Sequence, residues 1–421
     1  MSAAKRARDD GAAAAKKPTM IMRPLGTSGI EVSAIAMGCF AFGGDKKTGT
    51  HLGAQMTALH NGVWGDQADE DTFATIKAAL DLGVNFFDNA EMYGDGYAEE
   101  VMGRALKASG YKRDQYYIGT KVSESYLEPT LLKQHVDESI ERMGCDYIDL
   151  YQLHWCALTL TLTLTRRLVS NCKRCAPREI AAHGTDIAAL RASRAAVKTD
   201  KYPERPLVEE VPMEDTLKAL EECKVAGKIK HIGVCNFGVQ DLKRALATGT
   251  KIVSNQICYH LLWRGIEDEV VPFCIENKIA ILPWSPMGQG LLTGKVASAD
   301  EVQPGRQRSR LFSNKRPQQR HGEPGLEDEA FAAIRKMAWI SEKVGEPMAN
   351  VSLAWAREMP GITSLLMGAR TQSQLERNLQ SLDLTLEPTV MELLSDAGAE
   401  VKQKLGANLD PYESADSTRI V

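Results

Sequence analysis

The chain has 421 residues, 43% of them hydrophobic and 25% charged, with a formal net charge of −4. That composition supports a large packed core, and a mildly acidic balance argues against nucleic acid as the main partner. The nine scattered cysteines suggest no disulfide framework and fit a reducing, cytoplasmic setting, while no apolar run approaches the ~20 residues of a membrane span.

Residues 1–19 are rich in Ala, Lys and Arg and lack the apolar stretch of a signal peptide, so they read as a disordered, solvated tail. The basic pairs Lys5-Arg6 and Lys16-Lys17 resemble a split nuclear signal, but a charged tail is the simpler reading. Residues 20–33 read as a hairpin turning at Gly26-Thr27-Ser28-Gly29. From there β-rich runs recur at 34–37, 84–88, 116–121, 148–154, 229–234, 252–256, 280–284 and 363–367. Helical patterns fall between them at 70–82, 98–108, 129–143, 213–226, 239–248 and 266–277, with two more at 328–344 and 349–359. Gly83, Gly110, Gly144 and Gly227 follow such helices, where glycine serves as a left-handed cap. Strands alternating with helices imply a parallel sheet covered on both faces, and eight is the number that closes a barrel. An open doubly wound sheet is the competing fold, but no G-x-G-x-x-G follows the first strand.

One stretch breaks this rhythm. Residues 156–199 open on an alternating Leu-Thr run from Leu158 to Leu164 and then show no sustained period. They carry Arg166, Arg167, Lys173, Arg174, Arg178, Arg191, Arg194 and Lys198 against Glu179 and Asp186, in a chain that is acidic overall. The shift marks an irregular, low-complexity insert after the fourth barrel strand, a lineage-specific insertion or a translated intron. Cys172-x-x-Cys175 lies here with His183, but without a second Cys pair it makes no zinc site. The expected organisation is thus a tail over 1–19 and a single domain over 20–421, interrupted by this insert.

The densest chemistry sits at the ends of the β-rich runs. Asn85-Phe86-Phe87-Asp88-Asn89-Ala90-Glu91-Met92-Tyr93-Gly94 delivers an Asp and a Tyr, Ile118-Gly119-Thr120-Lys121 a Lys, and Leu150-Tyr151-Gln152-Leu153-His154 a His. A parallel β/α barrel presents its reactive groups at the carboxyl ends of its strands. Together these residues resemble the proton-transfer set of the aldo-keto reductases, and that resemblance makes Tyr93 the candidate general acid for a carbonyl receiving hydride. Lys121, paired with Asp88, is the cation expected to lower the phenol's pKa from about 10, and His154 is placed to hydrogen-bond the carbonyl oxygen.

With these blocks in this order, the chain resembles the aldo-keto reductases over about 22–154 and 200–420. The resemblance implies a (β/α)8 TIM barrel, NADPH as reductant, and aldehydes or ketones as small-molecule substrates. Where that family carries a Ser-Asn pair for the nicotinamide carboxamide, this chain reads Cys235-Asn236, and Gln256 matches the second carboxamide contact. Trp284 takes the place of the aromatic stacked on the nicotinamide. The run from Ser285 through Gly290 to Lys295 resembles the loop that covers the pyrophosphate. After the eighth strand come Gly368, Ala369, Arg370 and Thr371, with Thr371 placed to cap a helix whose N-terminus attracts an anion. Arg370 suits an adenosine 2′-phosphate, and Gln374 and Asn378 share the helix face that reaches the adenine.

Two other readings compete with a reductase. Potassium-channel β-subunits share that fold and retain the proton-transfer residues, so a cofactor-binding regulatory subunit is one. A form blocked by the 156–199 insert is the other, since the loop after strand four opens on the catalytic face. The substrate itself is not written in the sequence. Trp64, Trp155 and Trp263 are candidates for an apolar wall, 296–324 for a flap, and nothing encodes the oligomeric state.

Overall fold

The structure is a computed structural model that describes residues 17–44, 65–155, 211–319, 321–415 and 418–421. The expected tail up to residue 16, the insert with its Cys172 and Cys175, and Trp64 lie outside the described residues.

A small antiparallel hairpin, β1 (Met22–Pro24) and β2 (Glu31–Ser33), precedes the barrel. The barrel strands are β3 (Ile35–Gly38), β4 (Phe86–Asp88), β5 (Tyr117–Val122), β6 (Ile148–Leu153), β7 (Ile229–Cys235), β8 (Ile252–Cys258), β9 (Ala280–Trp284) and β10 (Leu365–Met367). They close in sequence order, all parallel, with β10 returning to β3. Each expected strand is therefore present, trimmed or extended by a residue or two. The helices α1 (Asp69–Asp81), α2 (Tyr97–Ala108), α3 (Pro129–Met143), α4 (Met213–Val225) and α5 (Val239–Ala247) follow their strands. Gly83, Gly110, Gly144 and Gly227 all sit at positive φ, as caps require.

The pattern at 266–277 becomes a 3-10 turn at Gly265–Glu267 and then α6 (Val270–Glu276). Pro272 explains the break: its ring collides with the carbonyl four residues back, so a helix cannot run continuously through 268. The last elements are α7 (Glu327–Val344), α8 (Met348–Glu358), α9 (Gln372–Leu379), α10 (Pro388–Ala397) and α11 (Ala399–Leu405).

Side chains inside the barrel change character along its axis, which is what places the site. At the amino-terminal end Ala36, Phe86, Leu150, Val253, Ala280, Leu282 and Leu366 form an apolar cluster closed from below by Leu25 and Val32 of the hairpin. Burying one such Leu is worth about 1.5–3 kcal/mol. The hairpin turn presses on the barrel rim, because a Cβ on Gly26 would lie 2.2 Å from the Val253 carbonyl oxygen. One layer higher Gly119 and Gly233 face inward: a Cβ on Gly233 would meet Gln152 Cγ and Leu150 Cδ1 at 3.0 Å. These glycines leave room for the polar layer above, Asp88, Lys121, Gln152 and Gln256, all buried. Hydrophobic below and hydrogen-bonded above, the barrel gathers the buried ionisable pair Asp88 and Lys121 at the carboxyl-terminal mouth.

Candidate active site

Asp88 is the last residue of β4, Lys121 lies near the end of β5, and His154 follows β6 directly. Lys121 is fully buried and its Nζ donates to Asp88 Oδ2 at 2.8 Å and to the Asn89 carbonyl at 2.5 Å. The same nitrogen lies 3.4 Å from the Tyr93 hydroxyl. The turn after β4 folds Tyr93 back over the mouth, with Tyr93 N donating to the Ala90 carbonyl at 3.0 Å. The His154 ring stands edge-on to Tyr93, centroids 6.0 Å apart, and Phe40 packs edge-on from the other side at 4.8 Å. Sequence reasoning placed Asp88, Tyr93, Lys121 and His154 at one mouth, and the structure brings them together there.

The electrostatics differ from the simple expectation. Lys121 was expected to lower the Tyr93 pKa. Instead burial pushes the phenol above its ordinary value, and the nearby Lys121 charge only partly offsets this. Burial pulls the Lys121 ammonium down, but Asp88 and Tyr93 together hold it above the usual lysine range. The sequence showed the cation but not the depth at which the pair sits. An acid kept protonated beside a fixed cation can give up its proton when a neighbour demands it, and the cation then steadies the phenolate left behind.

Asp88 Oδ1 accepts from Gln256 Nε2 at 2.7 Å and from Gln152 Nε2 at 3.3 Å. Gln152 escaped the sequence reading. The two-residue alternation of β6 would have found it, because Leu150, Gln152 and His154 fall on one inward face. Gln256, expected only as a carboxamide contact, also braces the carboxylate that holds Lys121.

The other half of the mouth gathers the expected cofactor residues. Asn236, at φ 59°, donates to the His154 carbonyl at 3.1 Å and accepts from Trp284 Nε1 at 2.9 Å. Trp284 is partly exposed and stacks on Tyr412 at 6.2 Å. Ser285 and Gln289 share the left-handed backbone of the following loop with Gly288 and Gly290, and Lys295 is exposed beyond it. Gly368 lies exposed past β10, and Arg370 Nε donates to Gln67 Oε1 at 2.9 Å. Gln374 Oε1 accepts from Arg370 N at 2.9 Å, Thr371 caps α9 through Gln374 N, and Asn378 lies one turn further along.

Arg306 was missed. A Cβ on Gly290 would lie 3.5 Å from Arg306 Nη1. Burial and then the charge of Arg370 hold the Arg306 guanidinium below its ordinary value. Two guanidiniums close enough to feel each other's charge, one beside the glycine-rich loop and one before a helix N-terminus, fit a polyanion such as the phosphates of a nicotinamide dinucleotide. Of the expected tryptophan wall, Trp263 is core material, 2% exposed, with its indole N–H on the Leu409 carbonyl. Trp155 lies under the Arg419 guanidinium, 3.6 Å away, and Arg419 is in turn clamped by Asp410 at 2.6 and 2.8 Å. Among the described residues no helix is long and apolar enough to cross a membrane, and no cluster of His, Cys, Asp or Glu could hold a metal.

Known proteins are similar to this chain in sequence and fold. The chain is 28% identical to the aldo-keto reductase YhdN of Bacillus subtilis over 84% of this chain and 86% of that protein. It is 25% identical to a probable voltage-gated potassium channel subunit beta of Oryza sativa, covering 81% and 92%. It is likewise 25% identical to an NADH-specific methylglyoxal reductase of Escherichia coli, covering 89% and 98%. Its fold is similar to that of the thermostable aldo-keto reductase Tm1743, with TM-score 0.60 and 23% identity over 90% of this chain and 100% of that one. A model of the aldo/keto reductase family matches residues 52–398. A match of that extent, running through a closed parallel barrel with its polar layer at the mouth, makes this chain a member of the aldo/keto reductase family.

Proposed function

We propose that the protein reduces aldehydes and ketones to alcohols with NADPH, Tyr93 supplying the proton. The observation that carries this reading is the buried Asp88–Lys121 pair with Lys121 Nζ 3.4 Å from the Tyr93 hydroxyl. When bound, the nicotinamide supplies the hydride. Tyr93 then protonates the carbonyl oxygen, Lys121 stabilises the phenolate that forms, and Asp88 with Gln152 and Gln256 fixes Lys121. His154 orients the carbonyl from across the mouth. Asn236 and Gln256 hold the carboxamide, Trp284 backs the nicotinamide ring, and Ser285, Gly290 and Lys295 approach the pyrophosphate.

Arg370, with Gly368, Gln374 and Asn378 around it, takes the adenosine end. The positive charge of Arg306, which feels that of Arg370, favours the extra phosphate of NADPH. Because one relative is named as NADH-specific, cofactor choice is tested directly. NADPH and NADH consumption are followed with an aromatic aldehyde, beside Tyr93→Phe. Turnover favouring NADPH, lost in Tyr93→Phe while NADPH still binds, supports the reading.

A second reading follows from the relatives named as channel β-subunits. A regulatory subunit of this fold would bind NADPH tightly and turn over carbonyls slowly or not at all. That outcome in the wild-type chain would select it.

A further inference from the structure

Glu91 lies in the turn between Asp88 and Tyr93, and its side chain is fully buried. Its surroundings explain how a carboxylate survives there. Oε1 accepts from the Ser123 amide at 2.7 Å and Oε2 pairs with His135 Nδ1 at 2.7 Å. Burial raises the Glu91 pKa, and the His135 contact and the Ser123 amide oppose that rise. The His135 ring is itself fixed, stacked on Tyr126 at 3.8 Å and 17°, with Glu138 Oε2 3.9 Å from the same nitrogen.

These contacts join the two loops that matter. Ser123 lies two residues beyond Lys121, and Glu91 N donates to the Lys121 carbonyl at 3.4 Å. The main chain of Glu91 is therefore tied to Lys121, and its side chain to the exit of the same strand. Two residues later the chain presents Tyr93, whose hydroxyl must stay near Lys121 Nζ. The start of the turn is tied to β5 through the Asn89 main chain, Asn89 N donating to the Gly119 carbonyl at 2.8 Å and Lys121 Nζ to the Asn89 carbonyl at 2.5 Å, while the Asn89 side chain bonds back to Ala90 N and to the Ala98 carbonyl. Glu91 carries the tie to β5 two residues closer to Tyr93.

Resting on the reductase reading above, we infer that Glu91, held by Ser123 and His135, is the positioning residue that sets Tyr93 against Lys121 for proton transfer. It touches neither carbonyl nor cofactor and acts through the register of the two loops. A shift of about 1 Å in a reacting group can cost about 10²-fold in rate.

The test is steady-state carbonyl reduction by the full-length Glu91→Leu, Glu91→Gln and His135→Leu variants, with NADPH binding measured directly. Glu91→Leu is expected to lower kcat by about 10- to 10²-fold. NADPH affinity should stay near wild type, and the isotope effect with NADPH deuterated at the transferred position should rise as chemistry becomes limiting. Glu91→Gln should restore most of kcat. Its amide oxygen can accept from Ser123, and its N–H can donate to His135 in the other tautomer. His135→Leu should fall between them.

A normal kcat and isotope effect in Glu91→Leu overturns the proposal, as does a kcat loss matched by lost NADPH binding, which marks general loosening. Should Glu91→Leu fail to fold, His135→Leu decides: unchanged kcat with intact NADPH binding overturns it. A wild-type chain that binds NADPH but turns over no carbonyl overturns the reductase reading itself, and this role with it.

Discussion

The two halves of the barrel mouth are built differently. The proposed catalytic half is buried and bonded chiefly among neighbouring strands: Lys121 is fully buried, Asp88 is 3% exposed, and Asp88, Lys121, Gln152 and Glu91 all lie between β4 and β6, with Gln256 of β8 reaching Asp88 from across the barrel. The proposed cofactor half is assembled from distant chain segments. Gln67 and Arg370 bond each other reciprocally, and Gln289 reaches Tyr412 at 3.0 Å. Its ends, Lys295 and Gly368, are exposed. A proton-transfer set gains by being fixed before the reaction, because no reorganisation is then needed at the moment of chemistry. A grip on a long polyanionic cofactor must instead remain reachable along its length.

The largest expected effect breaks the catalytic half alone. Tyr93→Phe removes the proton donor and should lower kcat by about 10²- to 10⁴-fold. Lys121→Met should act as strongly, since it removes the cation that stabilises the phenolate and strands Asp88 as a buried charge. Gln256 and Asn236 bond across to Asp88 and to the His154 carbonyl, but not to Tyr93 or Lys121, so both variants are expected to keep NADPH affinity. Fluorescence titration with NADPH checks this, and a large loss of affinity in Tyr93→Phe would show that the halves are one unit.

The second expected effect breaks the cofactor half alone. Arg370→Met removes a charge-assisted grip worth about 1.5–3 kcal/mol, so NADPH should bind roughly 10- to 10²-fold more weakly while kcat at saturation stays near wild type. NADH, which lacks the 2′-phosphate, should lose little. Equal loss for both cofactors would remove the 2′-phosphate from Arg370.

How much of this was legible in the sequence follows the same division. Of the proposed catalytic residues, Asp88, Lys121 and His154 were legible because they fall at the ends of β-rich runs, where this fold places chemistry, and Tyr93 because it follows Asp88 in the adjoining turn. What could not be read was depth: the Lys121 charge was visible, but the burial that raises the Tyr93 phenol was not. In the proposed cofactor half Arg370 is a candidate from its place after β10, whereas its partner Gln67 lies far off in sequence with no local pattern to mark it. Arg306, in a polar stretch without period, was hidden for the same reason. The short helices α10 and α11 also went unread. They meet at Gly398, and the buried residues they present are few, chiefly Leu394, Ala397, Val401 and Leu405, too short a stripe to stand out.

The smallest expected effect concerns how the cofactor half withstands acid. His260 lies just beyond β8, 4% exposed, directly under the cofactor loop: a Cβ on Gly288 would lie 3.4 Å from its Cε1. Its Nδ1 accepts from Leu262 N at 3.2 Å, which requires the neutral ring. Burial lowers its pKa from 6.5 to about 3. Between those values the unfolded chain takes up a proton that the folded chain refuses, so stability falls as pH drops below 6.5. The slope approaches about 1.4 kcal/mol per pH unit.

His260→Asn keeps an acceptor for Leu262 N and carries no titration. The variant should therefore lose about 2 kcal/mol less than wild type between pH 7 and pH 5 in urea unfolding. Parallel losses in the two proteins would mean that His260 takes its proton without unfolding, and that the cofactor loop yields locally instead. NADPH affinity would then fall with pH in wild type but not in His260→Asn, placing the acid-sensitive point in the distantly assembled half of the mouth.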